Sequence, residues 1–272
     1  MNKSVRLKLS AFACSALMLL GLSSSYAATV NPPKNLKQKG VITYCSDIAS
    51  PPLEYYDKNH QPIGSDIEIG NHIAALMGLK AKWVNVPFAG ILPALLAGHC
   101  DAIISQLFDK PARRKKIDFV DYMNSSEAIL VAYGNPDKIK NLDDLAGKSV
   151  AVENGTTVRT LLEAKNKELA KAGKPKMNIV VFPRDTDALE QLRIHQVDAY
   201  GTTLESAAYY IKVSPKTFAV AGKPFHRITT GIGIRKDEKP LNKAIAEALH
   251  IMRKNGTYIK IFEKWHLKGD AL

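Results

Sequence analysis

The sequence predicts an α/β protein built as two lobes, and three observations carry that expectation. Apolar runs of strand length alternate with segments of helical spacing in two separate blocks, one before about residue 126 and one after it. Without its first 27 residues the chain keeps about 245, enough for two domains of ordinary size. The run Asp101-Ala102-Ile103-Ile104-Ser105 is short and largely apolar, the pattern of a parallel strand covered on both faces.

The N-terminal residues read as a processing segment. Lys3, Arg6 and Lys8 form a positive n-region, Leu9 to Leu22 an apolar h-region, and Ser25-Tyr26-Ala27 a small-residue cleavage site, so 1–27 is expected to be a signal peptide. The h-region is short for a membrane span, and Cys14 lies inside it, which argues against a lipoprotein. The prediction is export across the inner membrane into the periplasm.

In the first block, Val41 to Tyr44 is a strand, and Asp66 to Met77 is a helix with Ile67, Ile69, Ile73, Ala74 and Met77 roughly at helical spacing. Lys82 to Val86 is a second strand, Gly90 to Ala97 a short helix, and Asp101 opens the third strand. A βαβαβ unit of this kind takes right-handed crossovers. The loop Ser105 to Lys110 leaves the third strand at its carboxyl end, where open α/β sheets hold ligands. Pro111 suits a first helical turn. Arg113 follows there, and its planar fork can grip a carboxylate with two parallel hydrogen bonds.

A further strand begins near Ser126, and Asn141 to Ala146 reads as a short connecting helix. The second block then runs strand Ser149 to Val152, helix Thr157 to Ala172, strand Asn178 to Phe182, helix Thr186 to Ile194 and strand Asp198 to Gly201. After Gly222 come strand Thr229 to Arg235 and helix Leu241 to Arg253. Asn255-Gly256 caps that helix, and a last helix starts at Thr257.

Charge and cysteines narrow the partners. Loss of Lys3, Arg6 and Lys8 takes the formal charge from +12 to +9. The run Arg113-Arg114-Lys115-Lys116 reads as a solvated helix face rather than a nucleic-acid patch, since no nucleic-acid module accompanies it. No histidine spacing suggests a metal site, and no cofactor is expected. The mature chain keeps Cys45 and Cys100 in a compartment that permits disulfides. If their strands are parallel neighbours, a stagger of a few residues at ~3.3 Å each puts them beyond bridging distance, so two free thiols are expected.

Several motifs, in order, carry a resemblance. Gly98 to Asp121, GHCDAIISQLFDKPARRKKIDFVD, resembles the DAIISGxTxTPERxxxxDFSxPY signature of the bacterial periplasmic solute-binding proteins, the amino-acid-binding family 3 of ABC importers. Gly64 to Glu68 is similar to the family's GFDVDL, Asp144 to Lys148 to DLxGK, and Val152 to Thr157 to VxxGTT. Val197-Asp198-Ala199 matches GxVDA, and Asn255 to Trp265 resembles DGTYxKIxxKW. The similarity runs from about Gly40 to Trp265.

The resemblance implies a periplasmic-binding-protein type II-like fold. Residues 28–126 plus 229–272 would form one discontinuous lobe and 127–228 the other, joined by a two-stranded hinge near Ser126 to Ala128 and Arg227 to Thr229. It implies a monomer that binds a small carboxylate-bearing solute between the lobes and hands it to an inner-membrane permease. Matched residue by residue, Arg113 falls on the carboxylate-binding arginine. Ser105 and Gln106 fall on ligand contacts, Thr157 on a carboxylate contact at a helix N-terminus, Asp47 on the pocket lining, and Phe88 on its apolar wall. Simple N-capping by Thr156 and Thr157, a turn cap at Asp47, and a core role for Phe88 explain those residues equally well.

The chain also departs from the pattern. The aspartate that pairs with a ligand ammonium is Thr203 here, and a hydroxyl carries no charge for that task. Phe108 and Lys110 replace hydroxyl residues of the signature, and Ser50 replaces an aromatic. Glu153 stands where relatives touch the ligand side chain. It would supply the missing negative charge, read a cationic group, or simply pair with Lys148 or Arg159. Glu205 is a weaker substitute. The family also contains a cyclohexadienyl (prephenate or arogenate) dehydratase branch, which keeps an enzymatic alternative open.

Overall fold

The structure is a computed structural model that describes residues 29–272. The expected signal peptide, 1–27, lies outside the described residues. Strands β1 (Val41–Ser46), β2 (Tyr55–Tyr56) and β3 (Pro62–Ile63) precede helix α1 (Ser65–Leu76). Then come β4 (Lys80–Asn85), α2 (Phe88–Leu96), β5 (Ala102–Ile103), α3 (Pro111–Arg114) and β6 (Ile117–Ala132). The second block contains β7 (Ser149–Glu153), α4 (Thr157–Lys171), β8 (Asn178–Phe182), α5 (Asp185–Arg193), β9 (Ala199–Thr203) and α6 (Leu204–Val213). The chain ends with β10 (Phe218–Arg235), α7 (Lys239–Lys254) and α8 (Thr257–Lys264).

Eight strands line up in the order β4-β1-β5-β10-β6-β9-β7-β8, and β2 and β3 form a separate hairpin. The outer strands form two parallel wings: β4, β1 and β5 on one side, β9, β7 and β8 on the other. Between them β6 and β10 pair antiparallel from Phe218↔Ala132 to Arg235↔Ile117, so these two long strands run through both halves. Their register shifts between Ala221 and Phe225, and again between Phe225 and Ile228, where the strands pass from one wing to the other. Such bulges loosen the ladder and bend the pair locally.

Each half buries its own apolar layers. In the first, Ile69 and Ile73 of α1 and Met77 just after it pack with Tyr44, Ile104 and Ile234, and with Ile245, Leu249 and Met252 of α7 and Phe262 of α8. The C-terminal helices therefore return to the first half, and the Tyr258 hydroxyl donates to the Tyr122 carbonyl at 2.6 Å. The second half packs Val150, Val152, Val158 and Leu162 on one face of its wing and Ala188, Leu192, Tyr200 and Tyr210 on the other.

Three local features differ from the sequence expectation. Helix α6 is absent from the sequence reading; its early residues Glu205 and Ser206 are polar yet buried, which obscures the apolar stripe. Strand β6 begins at Ile117 rather than near Ser126, because its first residues alternate with half-buried charges at Asp118 and Asp121. The third strand shrinks to Ala102–Ile103, with Asp101 spent on capping: its carboxylate accepts the Lys37 and Thr43 amides at 2.9 and 2.7 Å.

That shortening overturns the expectation of two free thiols. Cys45 and Cys100 form a disulfide with Cα atoms 5.6 Å apart. The stagger argument assumed an extended chain from Cys100 into β5, since Cys45 registers with Ile103. The chain instead bends at Asp101, which brings Cys100 back over β1, and both cysteines are fully buried beside Ile91, Leu95 and Phe119. Thiol titration of the mature protein in denaturant is expected to find no free thiol before reduction. Replacing both cysteines with alanine is expected to cost about 2–4 kcal/mol in chemical unfolding, the usual range for a loop of this size.

Candidate functional site

A cavity of about 50 Å³ lies between the two halves, in front of the strands that join them. The first half supplies Ser50, Glu54, Phe88, Ser105, Gln106 and Phe108. The second supplies Glu153, Thr157, Asp185, Thr202 and Thr203, and β6 supplies Glu127. Each wing contributes mainly loops at the carboxyl ends of its parallel strands, as open α/β sheets do.

The loop after β5 does most of the positioning in the first half. Ser105 donates to Glu54 at 2.9 Å and accepts the Asp47 amide at 2.9 Å. Gln106 takes a left-handed backbone (φ 41) and donates its own amide to Asp66 at 2.9 Å. Its side chain reaches Ser125 at 2.7 Å and crosses to Glu205 at 3.0 Å. Phe108 is buried against the cavity, and its carbonyl accepts from Arg113 Nη1 at 2.9 Å. The Arg113 guanidinium also lies over the Phe88 ring, 5.5 Å from its centre. Burial lowers its pKa to about 10, with Glu127 pulling it back up, so it stays charged at neutral pH. Arg113 thus stands at the rim, beside two residues that line the cavity.

In the second half Thr156 caps α4, and the buried Thr157 faces the cavity from the first turn of a 15-residue helix, where free amides favour anions. Thr203 caps α6 by accepting the Ser206 amide at 3.4 Å, and donates to Gln106 Oε1 at 3.3 Å. Asp47 stands behind the wall rather than on it. Its carboxylate accepts the Phe88 amide at 2.9 Å and pairs with Arg184 of the opposite half. Arg184 also donates to Asn85 at 2.9 Å. Gly155 comes so close to Ala89 that a Cβ there would lie 2.8 Å from the Ala89 Cα. These contacts hold the halves against each other.

The cavity is unusually acidic, and sequence reading missed most of its acids. Glu54, Glu127, Glu153 and Asp185 line it, with Asp47, Asp66 and Glu205 close behind, and all seven are buried. Burial, then the neighbouring Asp66, pushes the Glu54 carboxyl well above the usual carboxylate range. Burial, then the neighbouring Asp47, does the same to Glu153. Lys148 pairs with Asp137, and Arg159 with Glu163 and Asn154, so neither neutralises Glu153. Asp185 accepts from Tyr210 at 2.6 Å, from Thr202 at 3.2 Å and from Tyr200. Glu127 is the residue most open to detection from sequence, as one charge at the head of the apolar run Ala128 to Val131. Glu54 and Asp185 carry no such local signal.

Two α/β halves facing each other across a polar cavity, with the joining strands behind it, define a ligand-binding protein of the periplasmic-binding type II class. The chain belongs to the bacterial extracellular solute-binding proteins, family 3, matching over residues 42–268. It is 27% identical over 249 residues to the L-cystine-binding protein TcyJ of Escherichia coli, covering 91% of each chain. It is 29% identical to the lysine/arginine/ornithine-binding periplasmic protein of Escherichia coli, covering 91% of this chain and 94% of the relative. An ancestral arginine-binding protein bound to arginine superposes with a TM-score of 0.76 at 34% identity, over 84% of this chain and 98% of the other.

The raised carboxyls set the pH response. Acids whose pKa rises on folding hold protons that the unfolded chain has lost, so stability falls as pH rises from the unfolded values near 4 through the folded ones. Those are about 6 for Asp66, about 7 for Asp185 and Glu205, and about 8 for Glu127, burial being the first cause in each. The unfolding midpoint of ligand-free protein is therefore expected to drop between about pH 5 and pH 8. A flat profile across that window would contradict the buried-acid assignment. Gly155→Ala is expected to weaken solute affinity by about tenfold in calorimetry, since overpacking against the Ala89 backbone costs about 1–3 kcal/mol and Gly155 also holds a left-handed backbone (φ 83).

Proposed function

We propose that this protein is the periplasmic substrate-binding component of an ABC importer. It captures a small carboxylate-bearing solute, an amino acid or a close analogue, between lobes 28–126 plus 229–272 and 127–228. It then presents the closed complex, as a monomer, to an inner-membrane permease. The signal-like segment 1–27 and the periplasmic relatives support the location.

The observation that carries this reading is Arg113. Its guanidinium is fixed by the Phe108 carbonyl and the Phe88 ring beside the cavity, which leaves further N–H groups free to take a carboxylate in a fork. The α4 N-terminus at Thr157 offers a second anion contact from the other half. A solute touched from both sides stabilises the closed arrangement over the open one, which is how ligand binding biases a hinge. The acid-rich wall favours a solute that also carries positive charge, in keeping with the arginine and lysine named for the relatives.

Binding is favoured over the dehydratase alternative. The relatives named above are binding proteins.

Calorimetry on protein refolded free of carried-over solute, against amino acids and their deaminated counterparts, tests the reading. Arg113→Ala is expected to weaken the best solute roughly 30-fold or more while leaving the fold intact. Full affinity in that variant would remove the basis of the proposal.

A further inference from the structure

We propose that Glu127, on the strand that joins the two halves, is the group that receives the solute's ammonium. This rests on the reading that the cavity holds a carboxylate-bearing solute, and it adds the residue that tells an amino acid from a hydroxy acid of the same shape.

The assignment follows from where the four lining acids are already committed. Glu54 accepts from Ser105 at 2.9 Å and has the Asp66 carboxyl beside it. Glu153 has beside it the Asp47 carboxylate, which already pairs with Arg184 of the second half. Asp185 takes three hydroxyl donors. Glu127 is 2% exposed and faces the same cavity, and among the described residues no side-chain hydrogen bond or ion pair holds it. A carboxyl left this way in a dry site is costly until a cation arrives.

Its surroundings fit one end of a zwitterion. The charges that act on Glu127 are Arg113 of α3 and Lys110 just before it, which favour its ionised form, and Glu205 of α6, which opposes it. Arg113 stands at the rim, against Phe108 and Phe88, of the cavity that Glu127 lines. An α-amino acid carries its carboxylate and ammonium on one carbon, so it needs a cationic and an anionic receptor close together.

Register places this charge beside the position that lacks one. Glu127 is the direct cross-strand neighbour of Thr203, a separation of roughly 4.5–5.5 Å between Cβ atoms. Thr203 spends its hydroxyl on capping α6 and on Gln106. The negative charge has thus moved one strand over, from the end of β9 to the middle of β6. There it sits at the bulged crossing between the halves, where Glu127 registers with Phe225.

The test is calorimetry with α-amino acids, each paired with its 2-hydroxy acid, on wild type, Glu127→Gln, Glu127→Gln/Thr203→Asp and Arg113→Ala. Wild type is expected to prefer the amino acid. Glu127→Gln, close to isosteric, is expected to lose roughly 30-fold or more for the amino acid and to keep its affinity for the hydroxy acid. Thr203→Asp, itself a good helix cap, is expected to restore much of the loss. Should the glutamine variant not fold, wild type alone still reports. At pH 7, in two buffers of different ionisation enthalpy, amino-acid binding is expected to release a proton that hydroxy-acid binding does not. Equal proton release for both solutes counts against the assignment.

Unchanged amino-acid affinity in Glu127→Gln, with binding lost in Arg113→Ala, overturns the assignment and leaves the carboxylate reading standing. Unchanged affinity in both variants overturns the carboxylate reading as well. Failure of wild type to bind any member of the panel overturns both.

Discussion

The antiparallel pairing of β6 with β10 is the constraint on which everything else in this molecule depends. Each parallel wing could fold around its own strands, but only these two strands give the wings a common axis. Sixteen residues of β6 at ~3.3 Å each reach roughly 50 Å, long enough to belong to both halves. The register of that ladder shifts on both sides of Phe225, between Ala221 and Ile228, and once more at Thr230 and Gly231. A bend there changes the distance between the carboxyl-end loops of the two wings while leaving either core undisturbed. Position in the sheet therefore makes the cavity the place where the carboxyl-end loops of both wings converge.

The second level of organisation is electrostatic. Seven acids are buried around one small cavity, an arrangement that repels itself unless protons or cations intervene. The protein answers in three ways. Burial beside a second acid pushes Glu54, next to Asp66, and Glu153, next to Asp47, toward their neutral forms. Asp185 is satisfied by tyrosine and threonine hydroxyls. Asp47 also takes Arg184 from the opposite half, which turns a buried charge into a contact across the cavity. Gln106 does the same work with neutral groups, bonding Ser125, Glu205 and Thr203. The bonds that satisfy the acids are in part the bonds that draw the halves together, so the state of the cavity and the position of the hinge are coupled.

How much of this the sequence disclosed depended on whether the signal was local. Strands such as Val41–Ser46 and Ser149–Glu153 were legible because both faces are buried and their runs are apolar. Helix α7 was legible because Leu241, Ala244, Ile245, Ala248 and Leu249 recur at helical spacing. Arg113 and Thr157 stood out because each follows a turn with its own chemistry. The disulfide was misjudged because a single capping aspartate, Asp101, bends the chain out of the strand that the apolar run suggested. Helix α6 escaped because buried Glu205 and Ser206 made it read as polar. The four acids of the wall come from four separate stretches of chain, and only the sheet order brings them to one place.

The pairing of Glu127 with Thr203 shows why substitution at a binding position has to be read through the register. Taken alone, Thr203 marks a site that has lost its charge, and the inference would be a change of ligand class. In the sheet, its neighbour across the β6–β9 ladder carries a carboxyl into the same cavity. Neighbouring strands lie only ~4.8 Å apart, within the reach of a glutamate one methylene longer than aspartate. A charge can move across a ladder at that cost without displacing a small ligand. What changes is the mechanical attachment: a group on β9 moves with the second half, whereas one on β6 stays on the strand that both halves share. An ammonium held from the joining strand can be bound before the halves close, leaving the Gln106, Glu205 and Thr157 contacts to report closure itself.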